Sequence, residues 1–259
     1  MSATDTAPTR EVATTADLRR PRLRRLTRAA GVLYLTIFVV YPASTLVRSS
    51  LVVPGDAAAT AANIRDNGTL FRWGMAGELT IVLVEVVLAA ILYTMLRPVS
   101  RSLSLAASLA RVAEAVVMAA GCLLTSILSL VAVGGGGYLD AFDPEQRDAL
   151  ALFFQEGNDY VVLVWGLFFA LSLVLTGWLV LRSGFLPRVI GVLLGLAGVG
   201  YLVQSFGTIL APGLADTWEM VVLVLAIPGE LVFAVWLLAK GVDEDRWASA
   251  ADRAQRTQV

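Results

Sequence analysis

The chain has no histidine, a single cysteine, and charge on only 16% of its residues. The missing histidine removes the commonest general base, the usual haem ligand and the paired-histidine type of zinc site. Cys122 stands alone, so an intrachain disulfide is impossible, and within an apolar stretch it reads as a small packing residue. No paired-aspartate protease pattern falls within the apolar runs. Neither an enzyme, a metal, a cofactor nor a nucleic-acid partner is expected.

Apolar residues dominate instead. They make up 57% of the sequence, with a mean hydropathy of +0.74, more than a domain facing water on all sides carries. A hydrocarbon core of about 30 Å takes about 20 residues of helix. Six stretches qualify: 29–52, 72–96, 102–133, 160–181, 188–210 and 218–239. The first follows an Arg-rich leader, is too long for the core of a signal peptide and ends without a small-residue cleavage site, so it reads as a retained span. The expected fold is all-α: a six-helix transmembrane domain over residues 29–241, between a disordered leader (1–28) and a polar tail (242–259).

Charge orients this bundle. Arg10, Arg19, Arg20, Arg22, Arg24, Arg25 and Arg28 fill the leader, and Arg97, Arg101, Arg182 and Arg188 flank the connections after spans two and four. The opposite connection holds Asp140, Asp143, Glu145, Asp148, Glu156 and Asp159 against Arg147. The positive-inside bias places both termini in the cytoplasm. It also accounts for the leader, although such a cluster suits anionic lipid as well. Two short helices are expected in the outer connections. One is capped by Asp56 and runs from Ala57 to Arg65, and the other begins at Asp143-Pro144-Glu145-Gln146.

Glu85, Arg111, Glu114 and Glu230 interrupt three of the spans. An ionisable group at mid-bilayer costs roughly 3 kcal/mol on insertion scales, so each needs a protein interior and a partner. Counted along the helix, all four lie about 14 to 18 Å from the cytoplasmic ends, in one slab. Arg111 and Glu114 are three apart and share a face, Glu78 extends the face of Glu85 outward, and spans two, three and six are expected to meet there. With three carboxylates against one guanidinium, at least one glutamate is expected to hold a proton. Secondary candidates are Glu78, Asp56 and Asp159, although Asp56 is explained by capping. On span five, Gly191 and Gly195 form a small-xxx-small pattern that suits packing within one chain and a homo-oligomer interface equally. Gly31-Val32-Leu33-Tyr34-Leu35 also echoes Gly198-Val199-Gly200-Tyr201-Leu202, too short a match to establish a repeat.

Several motifs stand in a familiar order: Ala30-Gly31-Val32-Leu33-Tyr34, Pro54-Gly55-Asp56, Leu92-Tyr93 with Leu96-Arg97-Pro98-Val99, Arg111, Arg182-Ser183-Gly184-Phe185-Leu186-Pro187, Gly200-Tyr201-Leu202, Glu230 and Trp236-Leu237-Leu238-Ala239-Lys240-Gly241. Over about residues 29–241 the chain resembles a bacterial integral membrane family catalogued as domain of unknown function 4386. The resemblance implies a six-helix membrane bundle and brings no catalytic residue, ligand or partner. Members often carry histidines near the fourth span, where this chain has Asn158, Asp159 and Ser172. The expected protein is a multi-pass component of the bacterial cytoplasmic membrane. Its buried Glu/Arg network is structural, with a ligand- or proton-binding role open. The alternative is a proton-coupled small-molecule transporter or channel.

Overall fold

The computed structural model describes residues 15–135 and 137–256, and among them no strand occurs. Ten helices follow one another: α1 (Thr15–Leu51), α2 (Ala57–Asp66), α3 (Gly68–Leu96), α4 (Arg101–Cys122), α5 (Leu128–Gly134), α6 (Pro144–Glu156), α7 (Asn158–Ser183), α8 (Arg188–Leu210), α9 (Ala215–Ala239) and α10 (Glu244–Arg256). Six helical stretches are long and apolar enough to cross a membrane, and they coincide with the six expected spans. The outward faces carry large apolar side chains such as Val39, Leu46, Leu83 and Val116. This surface suits lipid, because a helix satisfies most of its backbone polar groups internally and leaves apolar side chains outward.

The six long helices close into a ring: α1 packs on α3, α3 on α4, α4 on α7, α7 on α8, α8 on α9, and α9 back on α1. Close approach needs glycine at several crossings. A Cβ on Gly31 would sit 2.6 Å from the backbone nitrogen of Leu238, and one on Gly191 would sit 2.7 Å from the carbonyl oxygen of Gly177. Gly191 therefore serves packing within the chain, whereas a Cβ on Gly195 would touch nothing.

Short helices cover one end of the ring. Asp56 caps α2, accepting from the Ala59 amide at 2.9 Å. Asp143 and Gln146 form a reciprocal capping box at the start of α6. The two helices pack together, joined by Arg65, which donates to both carboxylate oxygens of Asp148 at 2.8 and 3.3 Å. A π turn at Leu123–Ile127 joins α4 to α5. Such a turn disturbs the helical ladder, and here Gln155 of α6 donates to the Thr125 carbonyl at 2.8 Å and to Ser129 Oγ at 2.9 Å. Gln155→Leu removes both donors from a buried site and is expected to cost about 1–3 kcal/mol. Chemical denaturation in detergent checks this, and an unchanged midpoint would mean the π turn needs no support from α6.

The other end departs from the sequence expectation in two places. The leader is not disordered from residue 15 onward: α1 begins at Thr15, and Leu23 and Thr27 are buried. Arg10 lies outside the described residues. Nor is the tail solvated throughout. Asp243 accepts from the Arg246 amide at the start of α10, whose acidic first turn and basic last turn match the helix dipole. Its Trp247, Ala250 and Ala251 are buried, and the Trp247 indole donates to the Met95 carbonyl at 2.8 Å. Arg24 of α1 meets Glu244 at 3.0 Å. The start of α1 and α10 thus brace each other across the bundle end.

Candidate functional site

Inside the ring, Arg111 donates through Nε to Glu85 at 2.6 Å, and Glu114 Oε1 stands 3.9 Å from the same nitrogen. The relative exposures are 1% for Arg111, 3% for Glu85 and 0% for Glu114, so the charges meet where water cannot screen them. Aromatic faces complete the guanidinium's surroundings. Its central carbon lies 5.0 Å from the Tyr34 ring centre and 5.2 Å from that of Phe169. A planar, weakly hydrated cation suits both partners at once.

The fourth charge is placed differently. Glu230, on α9, is 9% exposed, and its Oε1 has no hydrogen-bond partner among the described residues. The expected meeting of spans two, three and six needs correction, because α1 lies between α3 and α9 in the ring. Glu85 and Glu230 line one cavity instead of meeting through touching helices. The cavity has a volume of about 470 Å³. Glu85, Arg111 and Glu230 line it, and from them it runs along α1 past Tyr41 and Thr45 to Ser49, towards the end covered by α2 and α6.

Aromatic side chains form much of the wall. Trp165 stacks on Phe169 with ring centres 4.9 Å apart, and Tyr201 stands edge-on to both at 5.6 and 5.0 Å. These contacts fix the rings beside Glu230, and a lone aromatic would not hold a flat face at a defined place. On the far side of Arg111 the space closes. Ser104, Ser108, Ser172 and Thr176 meet Leu92 and Leu96 there and leave a volume of about 0 Å³. The space around the polar centre therefore extends along α1 and not past Arg111 towards Thr176.

The secondary candidates separate. Glu78 accepts from Ser126 Oγ at 3.2 Å and lines a small compartment of about 40 Å³ with Arg48 and Asn158, beside the main cavity. Asp56 is a helix cap, and Asp159 is exposed in the first turn of α7; neither reaches the centre. Sequence reasoning missed Tyr34, Trp165, Phe169 and Tyr201. For Tyr34 and Tyr201 a signal existed, since the two recurring Gly-containing segments each deliver their tyrosine to this cavity.

Comparison with known proteins agrees with the architecture and leaves the chemistry open. The family described as "Domain of unknown function (DUF4386)" matches residues 29–241. A protein of Archaeoglobus fulgidus, described as "Uncharacterized protein", is 29% identical over 170 residues, which cover 65% of this chain and 84% of that one. No solved structure matches. With six apolar helices in place and the match running from the first span to the last, the chain is a multi-pass membrane protein that belongs to the DUF4386 family.

Proposed function

We propose that this protein is a non-enzymatic membrane protein that binds a small organic cation with an apolar body in the central cavity. The observation that carries the reading is the cavity itself, which reaches a buried carboxylate whose Oε1 is unpartnered. Its volume falls within the roughly 300–1,000 Å³ usual for small-molecule sites. Charge then selects the ligand. Glu85 is engaged by Arg111, whereas Glu230, although Tyr201 bonds to it, keeps Oε1 unpartnered, and the aromatic rings of Trp165, Phe169 and Tyr201 that line the same cavity favour a cation. An anion would have only Arg111 to turn to, and although its Nη2 is unpartnered, that guanidinium already stands between two carboxylates, Glu85 and Glu114. Ile37, Phe38, Met118 and Ile227 supply the apolar remainder. On this reading Glu85, Arg111 and Glu114 hold the bundle in register, and the Arg-rich end lies in the cytoplasm of a bacterial cell.

Benzyltrimethylammonium, its neutral isostere neopentylbenzene and benzoate provide the test, scored by thermal stabilisation of the detergent-purified protein. The cation is expected to raise the unfolding temperature where the other two do not. Glu230→Gln is expected to weaken the cation by about tenfold or more, the equivalent of about 1.4 kcal/mol. Equal stabilisation by the isostere, or undiminished affinity in Glu230→Gln, would sink the proposal.

One observation favours a second reading, proton-coupled transport. The cavity runs from Ser49 to the polar centre and the space closes beyond Arg111, as in a single state of an alternating-access cycle. Glu85, Glu114 and Glu230 would then exchange protons while Arg111 tunes them. Reconstituted vesicles under a pH gradient test it. Flux of the cation that is unchanged by each Glu→Gln substitution would exclude coupling through this centre.

A further inference from the structure

We infer that the bundle end bearing the described termini holds the phosphate headgroup of an anionic phospholipid, in a pocket between α1, the α3–α4 connection and α10. The pocket has a volume of about 750 Å³. Four guanidinium groups converge on it: Arg22 and Arg25 from α1, Arg97 from the connection, and Arg101 from the start of α4. Among the described residues no carboxylate lines it. Among the described residues none of the four is in a salt bridge, although their neighbour Arg24 is taken up by Glu244. Arg101 is the first residue of a 22-residue helix, so the positive end of that dipole adds to the field at the rim.

Topology alone does not produce this convergence. The positive-inside bias asks only that arginines lie on one side, and it is indifferent to whether residues 22 and 97 share a pocket. Depth identifies the occupant. Arg22 opens the first membrane-capable stretch, Leu96 closes the second and Arg101 opens the third, so the guanidinium groups stand at the boundary of three apolar segments, where headgroups lie. The floor is apolar, formed by Leu23, Leu26 and Trp247, and so suits the glycerol backbone and first acyl carbons better than a hydrated free ion. The hydrogen bond from Trp247 to Met95 holds α10 in place as the pocket's wall. Residues that read as tail in the sequence thereby acquire a role.

Native mass spectrometry of the full chain, purified in neutral detergent and titrated with phosphatidylglycerol or phosphatidylcholine, tests the site. Phosphatidylglycerol is expected to be retained in preference to phosphatidylcholine. Its affinity should fall roughly thirtyfold in Arg97→Gln/Arg101→Gln, taking the usual worth of two basic residues near anionic lipid. Arg22→Gln/Arg25→Gln approaches the pocket from another helix and should show the same loss. All four side chains are exposed, so the substitutions leave the core intact. Arg182→Gln/Arg188→Gln removes equal charge outside the pocket and should retain the lipid. Equal losses in all three pairs would reduce the effect to general attraction and overturn the site. Complete displacement of the lipid by millimolar inorganic phosphate would overturn the lipid as its occupant.

Discussion

Arg111→Leu is expected to destabilise the folded protein by roughly 3–5 kcal/mol, the usual consequence of leaving buried charge without its partner. Two carboxylates lose their counter-charge at once, Glu85 at 2.6 Å and Glu114 at 3.9 Å, both almost wholly buried. The guanidinium's contacts with Tyr34 and Phe169 disappear as well, and leucine presents no planar face to replace them. The sign of the second substitution is informative. Arg111→Leu/Glu85→Leu removes one uncompensated charge along with its partner, so the double variant should recover part of the loss. Glu85→Gln alone should cost less than Arg111→Leu, because the amide oxygen still accepts from Nε. Equilibrium unfolding of these variants beside wild type and Glu85→Leu, in one lipid–detergent mixture, closes the cycle and gives the coupling energy directly. A single-variant cost below about 1 kcal/mol would mean that the cluster is solvated in the membrane and that the buried-pair argument fails.

The sequence announced this cluster through expense. Charges at one depth on apolar helices have few tolerable arrangements, so depth counting alone pairs Glu85 and Arg111 with a common interior. The order of helices around the ring was not legible, because apolar faces of similar composition pack against one another with little chemical preference. Trp165 and Phe169 were hidden for the same reason. An aromatic in an apolar run looks like any other packing residue until a guanidinium or a cavity stands opposite it. Residues 242–259 misled through their average. A polar segment with four buried apolar positions, Val242, Trp247, Ala250 and Ala251, reads as tail unless the surface that receives them is known. The π turn left no trace in Leu123-Leu124-Thr125-Ser126-Ile127, since what supports it is a glutamine about thirty residues later on a different helix.

Gly177→Val is expected to cost about 3 kcal/mol or more and to abolish cation binding with it. A Cβ at this position would lie 2.7 Å from the Gly191 carbonyl oxygen and 2.9 Å from the Gly195 amide nitrogen. Both are backbone atoms of α8, so relief requires moving a whole helix, and overpacking of this kind lies at the upper end of the usual 1–3 kcal/mol range, roughly, or beyond it. The same crossing continues at Gly198, whose Cβ would meet the Ala170 carbonyl oxygen at 2.8 Å. Separating α7 from α8 also separates Trp165 and Phe169 on one helix from Tyr201 on the other, and so opens the aromatic wall beside Glu230. Gly195→Ala is the matched control on the facing helix, α8. Its Cβ would meet nothing, and its higher helix propensity is expected to leave stability unchanged or raise it by up to about 1 kcal/mol. Unfolding midpoints measured beside benzyltrimethylammonium affinity separate the possibilities. If Gly177→Val keeps its stability, α7 and α8 do not approach this closely. If it is destabilised yet binds the cation with undiminished affinity, the α7–α8 crossing does not set the aromatic wall, and the site depends on the cavity's other helices, α1, α3, α4 and α9.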